Sequence, residues 1–479
     1  MAMETREEMS SGGKGGRSRL LILFPTPFEG HITPMLQLAT ILRSKGFSIT
    51  IVHTLFNSPD PSKHPDFHFE PIPDGLTADE LTTGALLHHT LNVKCEKPFR
   101  DCLTRMIMST NSGNEIVSCI ISDLLMYFTQ SVADELKLPR LALRAGSLTS
   151  FAAFAAFPLL LEKGILPIKD TQCEEVIPDL EPLRVKDLPE FHSKDPKGIF
   201  QFVSNMVEGT KGSSGFICNT FQDLEEATLS KLRKDLPCQI FPIGPLYLYS
   251  SSSSASASCS SLKKQDYTCM AWLEKQAPRS VIYVSFGSVV VMEQEEAEET
   301  MWGLLDSKQP FLLVLRRDSV RGSDGPVQLP QGFEEEMIDG GRGLIVEWAP
   351  QRQVLAHPAV GGFWTHCGWN STLESVSEGV PMLCSPFFGD QRVNARCITH
   401  VLRIGLQLDQ KGLNRAEIAK AVRKLLMVDD EGAETAKELR IRAEALKEKA
   451  RQSIREFGSS YESVNSLVDH ILSFQLVLN

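Results

Sequence analysis

Three features of the 479-residue sequence predict an α/β protein made of two doubly wound domains facing a cleft. The first is length: hydrophobic cores stop growing near roughly 250 to 300 residues, so a chain this long divides, and the cleft between its domains becomes the natural ligand site. The second is alternation. Short apolar, β-branched runs recur between segments of helical period, the pattern of parallel strands joined by helical crossovers. The third is an interruption from Tyr249 to Leu262, where serine dominates and no apolar period survives, so a flexible linker is expected there.

Each element follows in order. Residues 1–19 mix charges with Ser and Gly, without an apolar run or a cleavage-like site, and are expected to form a disordered tail instead of a secretory signal. Leu20 to Phe24 reads as a strand, Pro25, Pro27 and Gly30 as a turn, and Pro34 to Leu42 as a helix ending at Gly46. Phe47 to His53 resumes a strand, and strands at Val117 to Ser122 and Leu141 to Leu143 flank a helix over Tyr127 to Leu136. Leu148 to Leu161 is strongly apolar, but it carries Pro158 and is too short for the roughly 20 residues of a membrane span. These elements make the first domain, 20–248. The second, 263–456, has strands at Val281 to Phe286, Phe311 to Leu315, Gly343 to Glu347, Val360 to Thr365 and Pro381 to Ser385. Ala433 to Glu456 reads as an exposed amphipathic helix, and 457–479 as a helix packing back on the first domain.

Composition narrows the function. Apolar residues at 42% and charged residues at 23% are ordinary for a globular protein and exclude wholesale disorder. A net charge of -11 and a pI of about 5.6 offer no attraction for nucleic acid or anionic lipid. The eleven cysteines are scattered without a CxxC pair, which predicts reduced packing thiols and a cytoplasmic protein. A monomer is expected.

Chemistry-bearing residues concentrate after the strand Val360 to Thr365. The order there is His366-Cys367-Gly368-Trp369-Asn370-Ser371, then a helix from Thr372 to Glu378 stopped by Gly379. A helix that starts at a strand end aims unpaired N–H groups and its positive dipole end above the sheet, which suits an anion. Gly368 permits close backbone approach and His366 adds a donor, so an anionic diphosphate fits. Taken singly, these residues have plainer readings. Ser371 to Glu374 spells S-x-x-E, a capping box in which Glu374 satisfies the helix N-terminus. His366 also reads as a loop histidine, and Trp348 and Trp369 as core residues.

Taken together, Trp348-Ala349-Pro350-Gln351, His366 to Ser371, Glu374 and Gly389-Asp390-Gln391 resemble the signature segment of plant UDP-dependent glycosyltransferases, family 1 enzymes of the GT-B fold. The likeness extends to Ser285-Phe286-Gly287-Ser288, to Gly30-His31 and to the domain order, leaving out only the tail and the serine-rich linker. It implies two Rossmann-like domains, the first binding an acceptor and the second a UDP-sugar. By position, Trp348 would stack on uracil, Gln351 and the Ala349 backbone would read the nucleoside edge, and Glu374 would accept from the ribose hydroxyls. His366, Asn370, Ser371 and Ser285 would hold the diphosphate beside Gly368, while Trp369, Asp390 and Gln391 would contact the sugar. Trp369 with Gln391 is similar to the pattern of enzymes using UDP-glucose in preference to UDP-galactose or UDP-glucuronate. The Phe24-Pro25 to His31 run looks most like the branch of diterpenoid-glycoside, cytokinin and benzoxazinoid glucosyltransferases. That branch leaves the acceptor open among lipophilic terpenoids, phenolics, hormones and existing glycosides.

Inverting transfer needs a base for the acceptor proton and stabilisation for the departing UDP. His31 follows the first strand, where open α/β sheets present ligands, and is the candidate base. Asp123 ends a strand, matches the family's paired aspartate and would orient the ring, its plainer reading being a helix N-cap. The sequence has no DxD triplet, so no metal or other cofactor is expected, and the helix N-terminus with His366 and Ser285 would stabilise the leaving group. Acceptor contacts are expected from Phe28, from Gly75 to Cys95, and from Ser147, Phe151 and Phe154, although those phenylalanines read equally well as helix core.

Other readings stay open at this level. A nicotinamide-dependent oxidoreductase shares the alternation, although no G-x-G-x-x-G follows the first strand. A non-catalytic UDP-sugar-binding protein is opposed by the presence of both His31 and Asp123. Use of another UDP-sugar, or transfer to carbon or nitrogen, lies within the enzyme reading.

Overall fold

The computed structural model describes residues 17–81, 86–110, 114–168, 172–190, 195–249, 263–322, 327–339, 341–408, 414–426 and 430–475. Most of the expected tail, the serine-rich 250–262 and the last residues, 476–479, lie outside the described residues.

Seven strands form the first sheet: β1 (Ser18–Phe24), β2 (Ser48–Thr54), β3 (His68–Ile72), β4 (Glu115–Asp123), β5 (Arg140–Arg144), β6 (Gly215–Cys218) and β7 (Ile240–Pro242). Their order is β3-β2-β1-β4-β5-β6-β7, and every neighbouring pair is parallel. Six strands form the second: β8 (Val281–Ser285), β9 (Phe311–Val314), β10 (Gly343–Val346), β11 (Val360–Thr365), β12 (Met382–Cys384) and β13 (Gly405–Gln407). Their order is β10-β9-β8-β11-β12-β13, again all parallel.

Both faces of each sheet are covered, which explains why the strands are continuous apolar runs and not alternating ones. Along β1, Leu21 and Leu23 enter one apolar cluster, and Leu20, Ile22 and Phe24 another. Along β8, Val281 and Tyr283 separate from Ile282 and Val284 in the same way. Successive side chains point to opposite faces, so each strand supplies two cores.

The helix Ser459–Ser473 packs on the first sheet. Val464, Leu467 and Ile471 are buried in the cluster that holds Leu21 and Leu23. The Arg19 guanidinium donates to the carbonyls of Ile471, Leu472 and Phe474 at 3.0, 2.8 and 3.2 Å, satisfying acceptors that a helix end leaves unpaired.

Several elements differ from expectation. β3, β6, β7 and β13 are too short or too broken to show a period; β3 carries Pro71 and β6 begins at Gly215. The first helix runs Glu29–Ser44, so Pro34 lies inside it and does not open it. Tyr249 ends a short helix, Leu246–Tyr249, and does not belong to a linker. The apolar run after Ser147 divides into helices Leu148–Ala155 and Phe157–Glu162. Among the described residues no helix is long and apolar enough to cross a membrane. All ten described cysteines are unpaired thiols.

In each sheet the strand order changes direction once, between β1 and β4 and between β8 and β11. Crevices at the carboxyl ends of such strand pairs are where doubly wound sheets hold ligands.

Candidate active site

A cavity of about 900 Å³ lies between the carboxyl edges of the two sheets, toward the upper end of the range for small-molecule sites. All of the residues expected at the donor site line it, from Ser285 and Trp348 through Asp390 and Gln391, together with His31, Phe28 and Phe154. Asp123 stands behind His31, while Ser147 and Phe151 do not reach the cavity.

His31 lies in the first turn of the helix after β1 and Asp123 ends β4, so the first switch point brings together residues 92 apart in sequence. His31 Nδ1 is 2.6 Å from Asp123 Oδ2, with the carboxylate buried and the imidazole one quarter exposed. Burial alone would raise the Asp123 carboxyl. The electrostatic attraction of the His31 ring, the hydrogen bond from it and a second from the Leu125 N–H outweigh burial and hold the carboxyl below its ordinary value. A carboxylate accepting at Nδ1 places the ring proton there and leaves the Nε2 lone pair for the cavity.

At the second switch point, β11 turns sharply into the helix Trp369–Glu378. Cys367 makes the turn at φ 66°, unusual for a residue with a side chain. It is held by its N–H to Thr365 Oγ1 at 3.2 Å and by Asn394 Nδ2 donating to its carbonyl at 3.0 Å. Gly368 is the N-cap and no side chain caps the helix, so first-turn N–H groups face the cavity without intrahelical acceptors. The expected capping box is not formed. The helix starts earlier than Thr372, which puts Ser371 and Glu374 inside it.

The His366 ring sits between two glycines. A Cβ on Gly287 would lie 2.6 Å from ring Cε1, and one on Gly368 would lie 2.4 Å from Nε2. Gly287 also has φ +75°, so glycine is required there on two counts. Burial pushes His366 down to about 4, only partly opposed by the nearby Ser285 backbone, so the ring is neutral near pH 7. Its Nδ1 is buried with no hydrogen-bond partner, the condition a bound ligand relieves.

Gln351 ties the segment after β10 to the helix Trp369–Glu378. Its Nε2 donates to Glu374 Oε2 at 2.8 Å and to Ser371 Oγ at 3.0 Å, and its Oε1 accepts from the Tyr283 hydroxyl at 3.2 Å. Burial raises the Glu374 carboxyl, the hydrogen bond from Gln351 only partly opposing it. Ala349 is buried at the cavity wall, and Trp348 is half-buried with the Lys263 ammonium 5.3 Å from its ring centroid.

After β12, Gln391 Oε1 accepts from the N–H groups of Phe387 and Phe388 at 2.8 and 3.2 Å, which leaves its amide nitrogen for the cavity. Asp390 Oδ2 accepts from Asn394 Nδ2 at 3.4 Å. Two of the residues expected at the donor site also bridge the cleft. The Trp369 indole N–H donates to the Asn219 carbonyl at 2.7 Å, and Asn370 Nδ2 donates to the Gly30 carbonyl at 2.8 Å. Pro34 explains the second: it has no N–H, so the Gly30 carbonyl four residues earlier lacks its helical donor and takes one from Asn370.

On the acceptor side, Phe28 and Phe154 line the cavity, but two expected residues are corrected. Phe151 is fully buried and turns to the sheet, its ring 4.9 Å from that of Phe216. Ser147 caps its helix by accepting from the Ser150 N–H at 3.1 Å and donates to Asn394 Oδ1 at 2.7 Å. Within Gly75 to Cys95, residues 82–85 lie outside the described residues, while Leu81, Leu87 and His88 line the cavity. His88 stacks on Phe28 at 5.1 Å, and desolvation with the nearby His31 pushes it down to about 4.

Sequence reasoning reached His88 only as part of the segment Gly75 to Cys95 and missed Arg144 and Arg316. Arg316 donates to the Gly287 and Val290 carbonyls at 2.6 and 2.7 Å and so holds the loop after β8. Both arginines carry one legible signal, a cation at the carboxyl end of an apolar strand.

Two facing doubly wound sheets, a carboxylate-oriented histidine at one switch point and an open helix N-terminus at the other define the class of nucleotide-dependent transferases. The family model for UDP-glucoronosyl and UDP-glucosyl transferase matches residues 217–439. UDP-glycosyltransferase 76B1 of Arabidopsis thaliana is 44% identical over 473 residues, 98% of this chain and 100% of that protein. Flavonol 3-O-glucosyltransferase UGT76E12 of the same plant is 42% identical over 461 residues, 95% of this chain and 97% of that protein. The solved structure of Phytolacca americana UGT2 complexed with UDP-2fluoro-glucose and pterostilbene is similar at a TM-score of 0.80 and 27% identity, covering 95% of this chain and 100% of that one. The chain belongs to the plant UDP-glycosyltransferase family, enzymes of the GT-B fold, and the nicotinamide-dependent reading falls away.

Proposed function

We propose that this protein is an inverting, UDP-glucose-dependent glucosyltransferase that forms a β-glucoside on a small lipophilic metabolite, with His31 as general base. The carrying observation is that one cavity holds both the His31–Asp123 pair and the uncapped helix N-terminus at Trp369. His31 Nε2 takes the acceptor hydroxyl proton as the oxygen attacks the anomeric carbon from the face opposite UDP. The new carbon–oxygen bond forms as the bond to the diphosphate breaks, and UDP departs with the electron pair. Asp123 stabilises the imidazolium. The helix N-terminus, His366 and Ser285 stabilise the charge on UDP without a metal ion.

Glucose is supported by Trp369 with Gln391, and by the UDP-2fluoro-glucose in the similar Phytolacca complex. The pterostilbene of that complex and the flavonol activity named for the Arabidopsis relative favour a phenolic or comparably apolar acceptor. The enzyme is proposed to act as a cytoplasmic monomer.

The test is a donor panel with purified protein, reading the anomeric configuration of the product by NMR. UDP-glucose should lead and the product should be β; preference for UDP-galactose or UDP-glucuronate, or an α product, would overturn the proposal. His31→Ala should lower kcat on the order of 10²- to 10⁴-fold. EDTA should leave the rate largely intact.

A further inference from the structure

Among the described residues lining the cavity, Arg144 is the sole arginine or lysine from the first half of the chain. It ends β5, and β5 pairs with β4 so that Leu143 stands opposite Asp123. His31 after β1, Asp123 ending β4 and Arg144 ending β5 therefore stand at one edge of three adjacent strands. With strands about 4.8 Å apart, the Arg144 backbone is about 5 Å from that of Asp123 and about 10 Å from the end of β1.

The side chain is 5% exposed, and its donors are only partly used. Nη2 donates to Ser150 Oγ at 2.6 Å, and Nε is 3.4 Å from the Ser147 carbonyl. Nη1 makes no hydrogen bond among the described residues, and no described carboxylate lies within ion-pair distance. Phe154 lies 5.6 Å from the guanidinium carbon, and Gly146 leaves the space it occupies: a Cβ there would lie 2.8 Å from Nη2. Asp390, Asp123 and Glu225 act on the charge from farther away. A buried guanidinium without a paired anion is costly, and its planar donors match a carboxylate.

We propose that Arg144 binds a carboxylate on the acceptor, so that this enzyme prefers small hydroxy acids whose hydroxyl reaches His31 while the carboxylate rests on Nη1. The proposal rests on the glucosyl-transfer reading of the same cavity. The hydroxyl and the carboxylate are separated by roughly one to two strand spacings, which a compact aromatic or aliphatic hydroxy acid covers.

The experiment compares kcat/KM of the full-length enzyme with UDP-glucose on para- and meta-hydroxybenzoate and on their methyl esters, for the wild type, Arg144→Gln and Arg144→Lys. UDP-induced thermal stabilisation checks that each variant is folded. The wild type should favour an acid over its ester, and Arg144→Gln should lower transfer to the acid on the order of 10- to 100-fold with little change for the ester. Arg144→Lys should retain part of the preference. Equal rates on acid and ester in the wild type, an equal loss on both in Arg144→Gln, or glucose attached to the carboxylate would each overturn the inference. Transfer only to neutral acceptors overturns it but leaves glucosyl transfer standing. No transfer to any acceptor, with no stabilisation by UDP, sinks both.

Discussion

Asp123 illustrates what single residues contribute. Its type and position at a strand end are legible in the sequence, and so is the rule that a base needs an orienting carboxylate. The 2.6 Å contact with His31 and the burial that makes it strong come only from the neighbouring positions of β1 and β4. Because the carboxyl is held below its ordinary value in the fold, the folded chain binds that proton less readily than the unfolded chain. The resulting stability is fully present above the unfolded carboxylate range, near pH 4, and is lost as pH falls through the lowered native value. Asp123→Asn should therefore lower the urea midpoint at neutral pH, and the gap to the wild type should close on acidification. A gap unchanged from neutral pH to pH 3 would refute the pairing as its source. The same variant should cut kcat on the order of 10²- to 10⁴-fold with a smaller change in KM. Ser147 and Phe151 show the opposite case: an apolar helix face was visible, but whether it met the cavity or the sheet depended on which way the helix was turned.

At the scale of elements, the helix Glu29–Ser44 and the helix Trp369–Glu378 depend on each other through one carbonyl. Pro34 withholds a donor from Gly30, and Asn370 supplies it across the cleft at 2.8 Å. Pro34→Ala would give the first helix its missing bond and make the Gly30 carbonyl shared. The variant should be at least as resistant to urea, since proline is about 3 kcal/mol worse than alanine inside a helix. Its KM for UDP-glucose should rise by about 2- to 12-fold as a contact worth about 0.5–1.5 kcal/mol weakens. An unchanged KM would show that the bridge does not position the donor helix. The spacing of apolar residues located both helices but misplaced their starts, because periodicity reports the buried face and not the terminal turn, where function sits.

At the scale of the whole molecule, the chain end serves the opposite end of the sequence. Val464, Leu467 and Ile471 are fully or almost fully buried under the first sheet, and burying each contributes about 1.5–3 kcal/mol. Leu467→Ala should cost about 2–5 kcal/mol in chemical denaturation, and deletion of 458–479 should leave an insoluble chain. A loss of under about 1 kcal/mol would mean that this helix is peripheral to the core. The sequence by itself determined the two-domain α/β architecture, the main central strands and most of the polar residues gathered in the cavity around the second switch point, because strand length, apolar runs and motif order are local properties of the chain. Only the tertiary structure decided that the two switch points face each other, that Asn370 and Trp369 also bridge the cleft, and that Arg144 and His88 share the cavity with His31. Those facts depend on strand order and on the rotation of helices against sheets. Residues far apart in sequence become neighbours there only after burial has chosen their faces.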